Sequence, residues 1–239
     1  RLYRHYQVCE LPDGTLPDLT DREGNMLTHQ NGYTHSEMHA ATALAQYYRI
    51  TGRPEIRQKA EQYFDIADQW YRECGPRKRG ASRTTKSFGL NMLVLSTAQF
   101  VRNAGIRTTE CDALTQMAID EMMCGGYVDD ENRQVLEIVS AEGEKVSDMS
   151  CPGHIYEAAW FIMCEGEIKN DDQLRAFGRK LCDYAMPESF EDPCLFVPTS
   201  GMLSNSPMVT PRSLTHGGLS VRQSLLTALL TIFLVTRNI

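Results

Sequence analysis

The segment with the clearest chemical potential is residues 151–163, Cys-Pro-Gly-His-Ile-Tyr-Glu-Ala-Ala-Trp-Phe-Ile-Met. Pro152 and Gly153 predict a turn before a helix, since glycine is poorly suited to a helix interior. His154 and Glu157 are three residues apart and therefore share one face of that helix. A carboxylate beside an imidazole fixes its tautomer and raises its basicity. The spacing predicts a general acid/base near neutral pH, with Glu157 as its supporting carboxylate.

A structural interpretation of the same pair remains open. A histidine at a helix start with a glutamate three residues later is also typical of a helix cap or a solvated surface pair. Trp160 and Phe161 continue the segment as a mostly apolar helix, which predicts packing in a core. Apolar neighbours disfavour the solvated pair and therefore favour chemistry at His154.

The composition narrows the class of protein. The chain has 239 residues, of which 42% are apolar, enough for one sizeable core or two small ones. The net charge is −7, and the short basic run at residues 77–79 disfavours a nucleic-acid partner. The N-terminus has no apolar signal sequence, and the apolar run at residues 225–235 is too short to span a bilayer. We therefore expect a cytoplasmic protein with no membrane partner.

The cysteines predict neither disulfides nor metal ligands. They are scattered through helical patterns without a CxxC pair, at positions 9, 74, 111, 124, 151, 164, 182 and 194. Reduced, mostly buried thiols are the expected state of such a chain. Cysteine and histidine show no zinc-type spacing, so we predict no metal site. The sequence has no nicotinamide or phosphate-loop motif, and no cofactor is predicted.

The hydrophobic periodicity indicates an all-α protein. It predicts seven helices at Ser36–Ile50, Pro54–Glu73, Lys86–Ala104, Thr109–Cys124, His154–Met163, Asp171–Met186 and Ser220–Val235. Short strands at Tyr127-Val128 and Val135–Val139, separated by the turn Asp129–Arg133, predict a small β-hairpin. Helices of this length joined by short loops favour antiparallel helix hairpins arranged as a toroid or a solenoid.

Four segments resemble the N-acylglucosamine 2-epimerase family, and together they cover roughly residues 20–193. The most specific is residues 151–163, which is similar to the family's "N-P-G-H-x-x-E-A-x-W-F-L-L". The other three are residues 21–52, similar to "D-x-x-G … S-E-x-F-A" and "Y-x-x-T-G"; residues 89–95, similar to "A-V-P-M-M-L-L"; and residues 135–139, similar to "V-L-E-N-V".

The resemblance implies a fold and an activity. Family members fold as a barrel of six inner and six outer helices, which implies an incomplete (α/α)6 toroid in a single domain, residues 1–239. They act on free sugars at C2, so the implied function is interconversion of N-acetylglucosamine and N-acetylmannosamine by an isomerase. A base removes the C2 proton of the open-chain sugar to give an ene-diolate, which is reprotonated from the other face. ATP as an effector is implied by the resemblance alone.

The resemblance also assigns roles to residues. It implies that His154 is one of the two acid/base groups and that Glu157 supports it. Tyr33 and Glu37 match a stretch whose side chains help to line the sugar pocket. For these two, a core tyrosine and a helix-start charge are equally compatible with the sequence.

The chain departs from the family pattern in three places. The segments that carry a sugar-binding arginine and the second catalytic histidine have no counterpart here. Cys151 stands where the family motif has asparagine, and residues 194–239 diverge. An incomplete ring leaves apolar helix faces that a second copy in a homodimer, or another partner, would cover.

Two further functions stay open at this stage. An aldose–ketose isomerase uses the same ene-diolate but moves the proton from C2 to C1. A chain that lacks one acid/base group would lose roughly a hundredfold or more in rate, so a non-catalytic binding paralogue is the other alternative.

Overall fold

The computed structural model describes residues 7–28, 34–77 and 84–185. Within these ranges the protein is mostly helical with small sheets. The helices are α1 (His35–Thr51), α2 (Pro54–Cys74), α3 (Phe88–Asn103), α4 (Thr108–Cys124), α5 (Pro152–Lys169) and α6 (Asp172–Ala185). The strands are β1 (Leu19–Thr20), β2 (Met26–Thr28), β3 (Thr85–Ser87), β4 (Val128–Asp129), β5 (Gln134–Val135) and β6 (Ile138–Ser140).

The chain divides into two compact units. The first lies within Arg1–Lys86 and Leu93–Ala118, and the second within Ser87–Met92 and Ile119–Ile239. The predicted single domain over residues 1–239 stays a prediction.

The first unit is built on the hairpin of α1 and α2. Gly52 ends α1 in the left-handed conformation, with φ 65°, and donates its N–H to the carbonyl of Tyr48. Pro54 begins α2 at the first helical position, where its missing N–H costs no hydrogen bond. The face of α2 predicted to be apolar is buried, and its residues are Ile56, Ala60, Tyr63, Phe64, Ala67, Trp70 and Tyr71.

The second unit is built on the hairpin of α5 and α6. Gly178 allows close packing of the two helices, since a Cβ there would lie 2.9 Å from the carbonyl oxygen of Ala159. Strands β4 and β5 pair antiparallel, with Val128 opposite Val135, which confirms the predicted β-hairpin. The largest fully buried side chains of this unit are Phe88, Ile119, Tyr127 and Tyr156.

Helix α5 is longer than the sequence pattern predicted. It begins at Pro152 rather than at His154, so the predicted turn at residues 152–153 is the first turn of the helix. Proline at the first helical position has a preset φ and loses no hydrogen bond, which explains the earlier start. The helix continues past Met163 to Lys169, where Asn170 ends it in the left-handed conformation with φ 51°.

The other described helices lie within two residues of their predicted bounds, which confirms the helical pattern. The seven cysteines in the described ranges are all free, and four of them are buried. None of the helices in these ranges combines the length and apolar character that a bilayer crossing requires. The predicted helix Ser220–Val235 and the divergent segment at residues 194–239 lie outside the described residues.

Candidate active site

The imidazole of His154 is paired with a carboxylate from a distant part of the chain. Its Nδ1 lies 3.0 Å from Oε2 of Glu137. The His154 side chain is 41% exposed, whereas that of Glu137 is 9% exposed. With Nδ1 held by Glu137, Nε2 is the ring nitrogen left to exchange a proton with a ligand.

Glu137 is held by hydrogen bonds at both carboxylate oxygens, at its backbone N–H and at its backbone carbonyl. Its Oε1 accepts hydrogen bonds from Ser87 Oγ at 3.1 Å and from the Gly89 N–H at 3.2 Å. Its backbone N–H donates to the carbonyl of Met149 at 2.8 Å, and its own carbonyl accepts from the Phe88 N–H at 2.9 Å. These bonds leave the carboxylate little freedom, so the ring of His154 is held in one orientation.

Residues at the start of α3 hold the Glu137 carboxylate in place. Ser87 caps the helix, since its Oγ accepts the N–H of Leu90 at 3.4 Å while donating to Glu137. Buried Asn91 donates to the Ser87 carbonyl and to the Tyr127 hydroxyl, each at 3.2 Å. The positive end of the α3 dipole favours the negative charge of the Glu137 carboxylate.

Gly89 leaves room for the imidazole. A Cβ at this position would lie 2.7 Å from Cε1 of His154 and 2.8 Å from Oε1 of Glu137. Both separations are below normal van der Waals contact. Any side chain at residue 89 would therefore push the histidine and the carboxylate out of place.

The thiol of Cys151 completes the cluster. Cys151 precedes α5 as its N-cap and is 6% exposed. Its Sγ, a ring nitrogen of His154 and a carboxylate oxygen of Glu137 all lie within 4.8 Å of one another. Burial raises the pKa of Cys151, but hydrogen bonding to His154 and the positive charge of that ring outweigh burial and lower the pKa. Burial raises the pKa of the more isolated Cys111 to about 12.

The same contacts raise the pKa of His154, whereas they lower that of Cys151. Burial lowers the pKa of the imidazole, but hydrogen bonds and negative charge from Cys151 and Glu137 outweigh burial. The pKa of His154 is therefore raised well above its usual value of 6.5. These contacts therefore favour the protonated ring, which can donate a proton from Nε2.

A carboxylate that the sequence interpretation did not name contacts the ring. The sequence interpretation gave the supporting role to Glu157, but Glu137 occupies the position at Nδ1. Glu157 follows His154 by three residues on α5 and is half-buried. A place for Glu157 in the catalytic site stays a prediction.

Of the two predicted sugar-binding residues, Glu37 lies in the first unit. Tyr33 lies outside the described residues. Glu37 is fully buried near the start of α1, where its Oε1 accepts the N–H of Leu16 at 2.7 Å. Their role in binding a sugar stays a prediction.

Sequence reasoning missed Glu137 as part of the site. The available signal was its position as the single charged residue in the apolar run Val135–Val139. A buried carboxylate in such a run needs a partner, because an unpaired buried charge is costly. The sequence alone gives no indication that this partner is His154, 17 residues further along the chain.

Part of the chain is similar to known proteins. No family model matches the chain. The N-acylglucosamine 2-epimerase of Bos taurus is 27% identical over 154 residues, which is 59% of this chain and 35% of that protein. The chain thus spans about a third of the length of this relative.

Two solved structures share the fold. A D-mannose isomerase matches with a TM-score of 0.60 and 13% identity, over 77% of this chain and 48% of its own. A sugar epimerase from a ruminal bacterium matches with a TM-score of 0.64 and 12% identity, over 96% of this chain and 67% of its own. The matched motifs and the bovine relative agree, and the chain resembles the N-acylglucosamine 2-epimerase family.

Proposed function

We propose that this chain carries an acid/base site of a sugar epimerase of the isomerase class, which moves the proton at C2 of a free aldose. The observation that carries the proposal is the Glu137–His154 pair, whose Nδ1 contact leaves Nε2 for a ligand. The name of the bovine relative favours N-acetylglucosamine and N-acetylmannosamine as the substrates.

The hairpins α1–α2 and α5–α6 are proposed to belong to an incomplete α/α toroid. Support comes from the two solved structures, which match this chain with TM-scores of 0.60 and 0.64. Antiparallel helix pairs in sequence order are the repeating unit of such an architecture.

The proposed mechanism begins with the open-chain sugar, in which the aldehyde acidifies the C2 proton. In its neutral form His154 removes this proton at Nε2, and in its protonated form it returns a proton, while Glu137 holds Nδ1–H and stabilises the imidazolium. The intermediate is an ene-diolate or, for an N-acylated sugar, the corresponding C1 enolate. Helices α3 and α5 both begin at this pair, and helix N-termini favour negative charge.

Exchange and epimerisation place different demands on the site. His154 alone suffices to exchange the C2 proton with solvent, whereas inversion also needs a second acid on the opposite face of the substrate. The two reactions are therefore measured separately.

An aldose–ketose isomerase is the second candidate, favoured by the fold shared with a D-mannose isomerase. It uses the same first step and returns the proton to C1. Incubation with mannose and detection of fructose distinguishes this outcome from epimerisation.

The test is exchange at C2 in D2O, followed by proton NMR with N-acetylglucosamine, N-acetylmannosamine and mannose. We expect the wild-type protein to incorporate deuterium at C2. The rate of this exchange should fall by about 100-fold or more in His154→Ala. Circular dichroism establishes that the variant is folded. Failure of all three sugars to exchange with folded protein would overturn the proposal and favour a non-catalytic paralogue.

A further inference from the structure

Three different metal-ligand types meet at the start of α5. A ring nitrogen of His154, the thiol Sγ of Cys151 and a carboxylate oxygen of Glu137 lie within 4.8 Å of one another. Cys151 is the N-cap of the helix and His154 is its third residue. An N-cap side chain lies over the first turn, which brings the sulfur towards the ring.

We propose that Glu137, Cys151 and His154 form a binding site for a thiophilic divalent cation of the zinc class. Thiolate, imidazole and carboxylate together select such a metal over magnesium or calcium, which prefer ligand sets made of oxygen alone. Three protein ligands and one open position are typical of zinc sites that also hold water or a small ligand.

Binding a metal ion requires only small movements of the three ligand side chains. Metal–ligand distances of about 2.0 to 2.3 Å place tetrahedral ligand atoms about 3.3 to 3.8 Å apart. The His154–Glu137 separation of 3.0 Å opens slightly on binding, and the sulfur lies within 4.8 Å of both. The metal replaces the hydrogen bond between these two side chains. The proton on the ligating ring nitrogen and the proton of the thiol are both released to solvent on binding.

The surroundings already orient one ligand. Ser87 and Gly89 donate to Oε1 of Glu137, leaving Oε2 directed at the cluster. Hydrogen bonds of this kind to a ligating carboxylate raise metal affinity, and their loss typically weakens it by about 10- to 100-fold.

The spacing rule that predicted no metal site could not have found this cluster. That rule compares cysteine and histidine positions, whereas the third ligand is a glutamate 14 residues before Cys151. The fold, rather than the spacing, brings Glu137 to the other two.

Metal binding has a consequence for catalysis, and this consequence rests on the proposed function. A metal on Nδ1 leaves the proton of a neutral ring on Nε2, so His154 can no longer act as a base there. The cation therefore inhibits C2 exchange. Since protons compete for the same three atoms, metal binding weakens as pH falls.

The test is titration of the metal-free protein with Co2+ alone, followed by visible and near-ultraviolet absorption. We expect one Co2+ per chain, a thiolate-to-cobalt charge-transfer band, and loss of that band when Zn2+ is added. Cys151→Ser should abolish the band, and Glu137→Gln should weaken binding by about tenfold or more.

Cys124→Ser is the matched control, because Cys124 is an exposed thiol on α4. This variant should keep the band at full intensity. A band that survives Cys151→Ser, or its absence from folded wild-type protein with Co2+ in excess, overturns the proposal. Circular dichroism of each variant excludes unfolding as the cause of a lost band.

A second measurement separates this proposal from the proposed function. The cobalt spectrum needs no sugar, so metal binding can be established even if no sugar exchanges. If C2 exchange is found, Zn2+ should slow it in the wild type. The ratio of rates with and without Zn2+ should approach one in Cys151→Ser, and inhibition retained in that variant would contradict the assigned site.

Discussion

At the scale of single residues, the site depends on contacts around one imidazole. Glu137 fixes the Nδ1 nitrogen at 3.0 Å, Gly89 leaves space for the ring, and Cys151 adds a thiol beside it. Each of these residues makes a distinct contribution, so single substitutions should change different observables.

Replacing Glu137 with glutamine should lower the pKa of His154. The variant removes a negative charge that favours the imidazolium, so the pKa falls towards 6.5. The measurement is an NMR titration of the His154 ring in chelator-treated buffer. Glu131→Gln, at an exposed turn position, is the control and should leave the titration unchanged. An unchanged pKa in Glu137→Gln would show that the pair does not set the charge of the ring.

Replacing Gly89 with alanine should misplace the ring. The added Cβ would meet Cε1 of His154 at 2.7 Å, so the imidazole must move. We expect C2 exchange to slow by about 10- to 100-fold, the scale typical of a displaced catalytic group. Ser96→Ala, further along α3, controls for general effects on that helix. Equal exchange rates in Gly89→Ala and the wild type would contradict the assigned position of the ring.

At the scale of elements, helix starts organise the second unit. The starts of α3 and α5 supply Ser87, Gly89 and His154, and α3 directs the N–H of Gly89 towards Glu137. The α5–α6 hairpin holds α5 in place, because Gly178 packs against Ala159 and Met163. A loss of this packing should therefore lower the stability of the unit.

Replacing Gly178 with alanine should destabilise the protein by about 1 to 3 kcal/mol through overpacking. The Cβ would lie 2.5 Å from Cγ of Met163 and 2.9 Å from the Ala159 carbonyl oxygen. Urea denaturation measures the change, and the exposed position Gln173→Ala on the same helix is the control. A Gly178→Ala variant as stable as the wild type would show that the two helices can separate at little cost.

The sequence predicted the elements better than it predicted the site. The apolar face of α2 and the hairpin of β4 and β5 follow from periodicity and turn residues, which act over short distances along the chain. The start of α5 at Pro152 was missed, because the same Pro-Gly pair is compatible with a turn and with a first helical turn. The choice between these depends on what the following residues pack against.

At the scale of the whole molecule, the charge of the site is coupled to folding. The pKa of His154 is raised in the folded protein above its unfolded value near 6.5, because of Cys151 and Glu137. The resulting stabilisation is complete below about pH 6.5 and is lost as pH rises through the folded-state pKa.

The stability difference between wild type and Glu137→Gln should therefore shrink as pH rises above neutrality. Free energies of unfolding from urea denaturation between about pH 6 and pH 10 measure this difference. The thiols outside the cluster titrate in both proteins, so their contributions largely cancel. A difference that is independent of pH would show that the charge of His154 is not coupled to folding.

The sequence by itself determined the helical character, most element bounds and the identity of His154 as the candidate acid/base. These features rest on periodicity, capping residues and a short motif, all of which are local. Only the tertiary structure decided that Glu137 holds Nδ1 and that Cys151 joins the pair. Glu157 shares a helix face with His154, but the start of α3 places the Glu137 carboxylate against the ring through Ser87 and Gly89. Contacts between residues so far apart in sequence depend on packing, which no local pattern encodes.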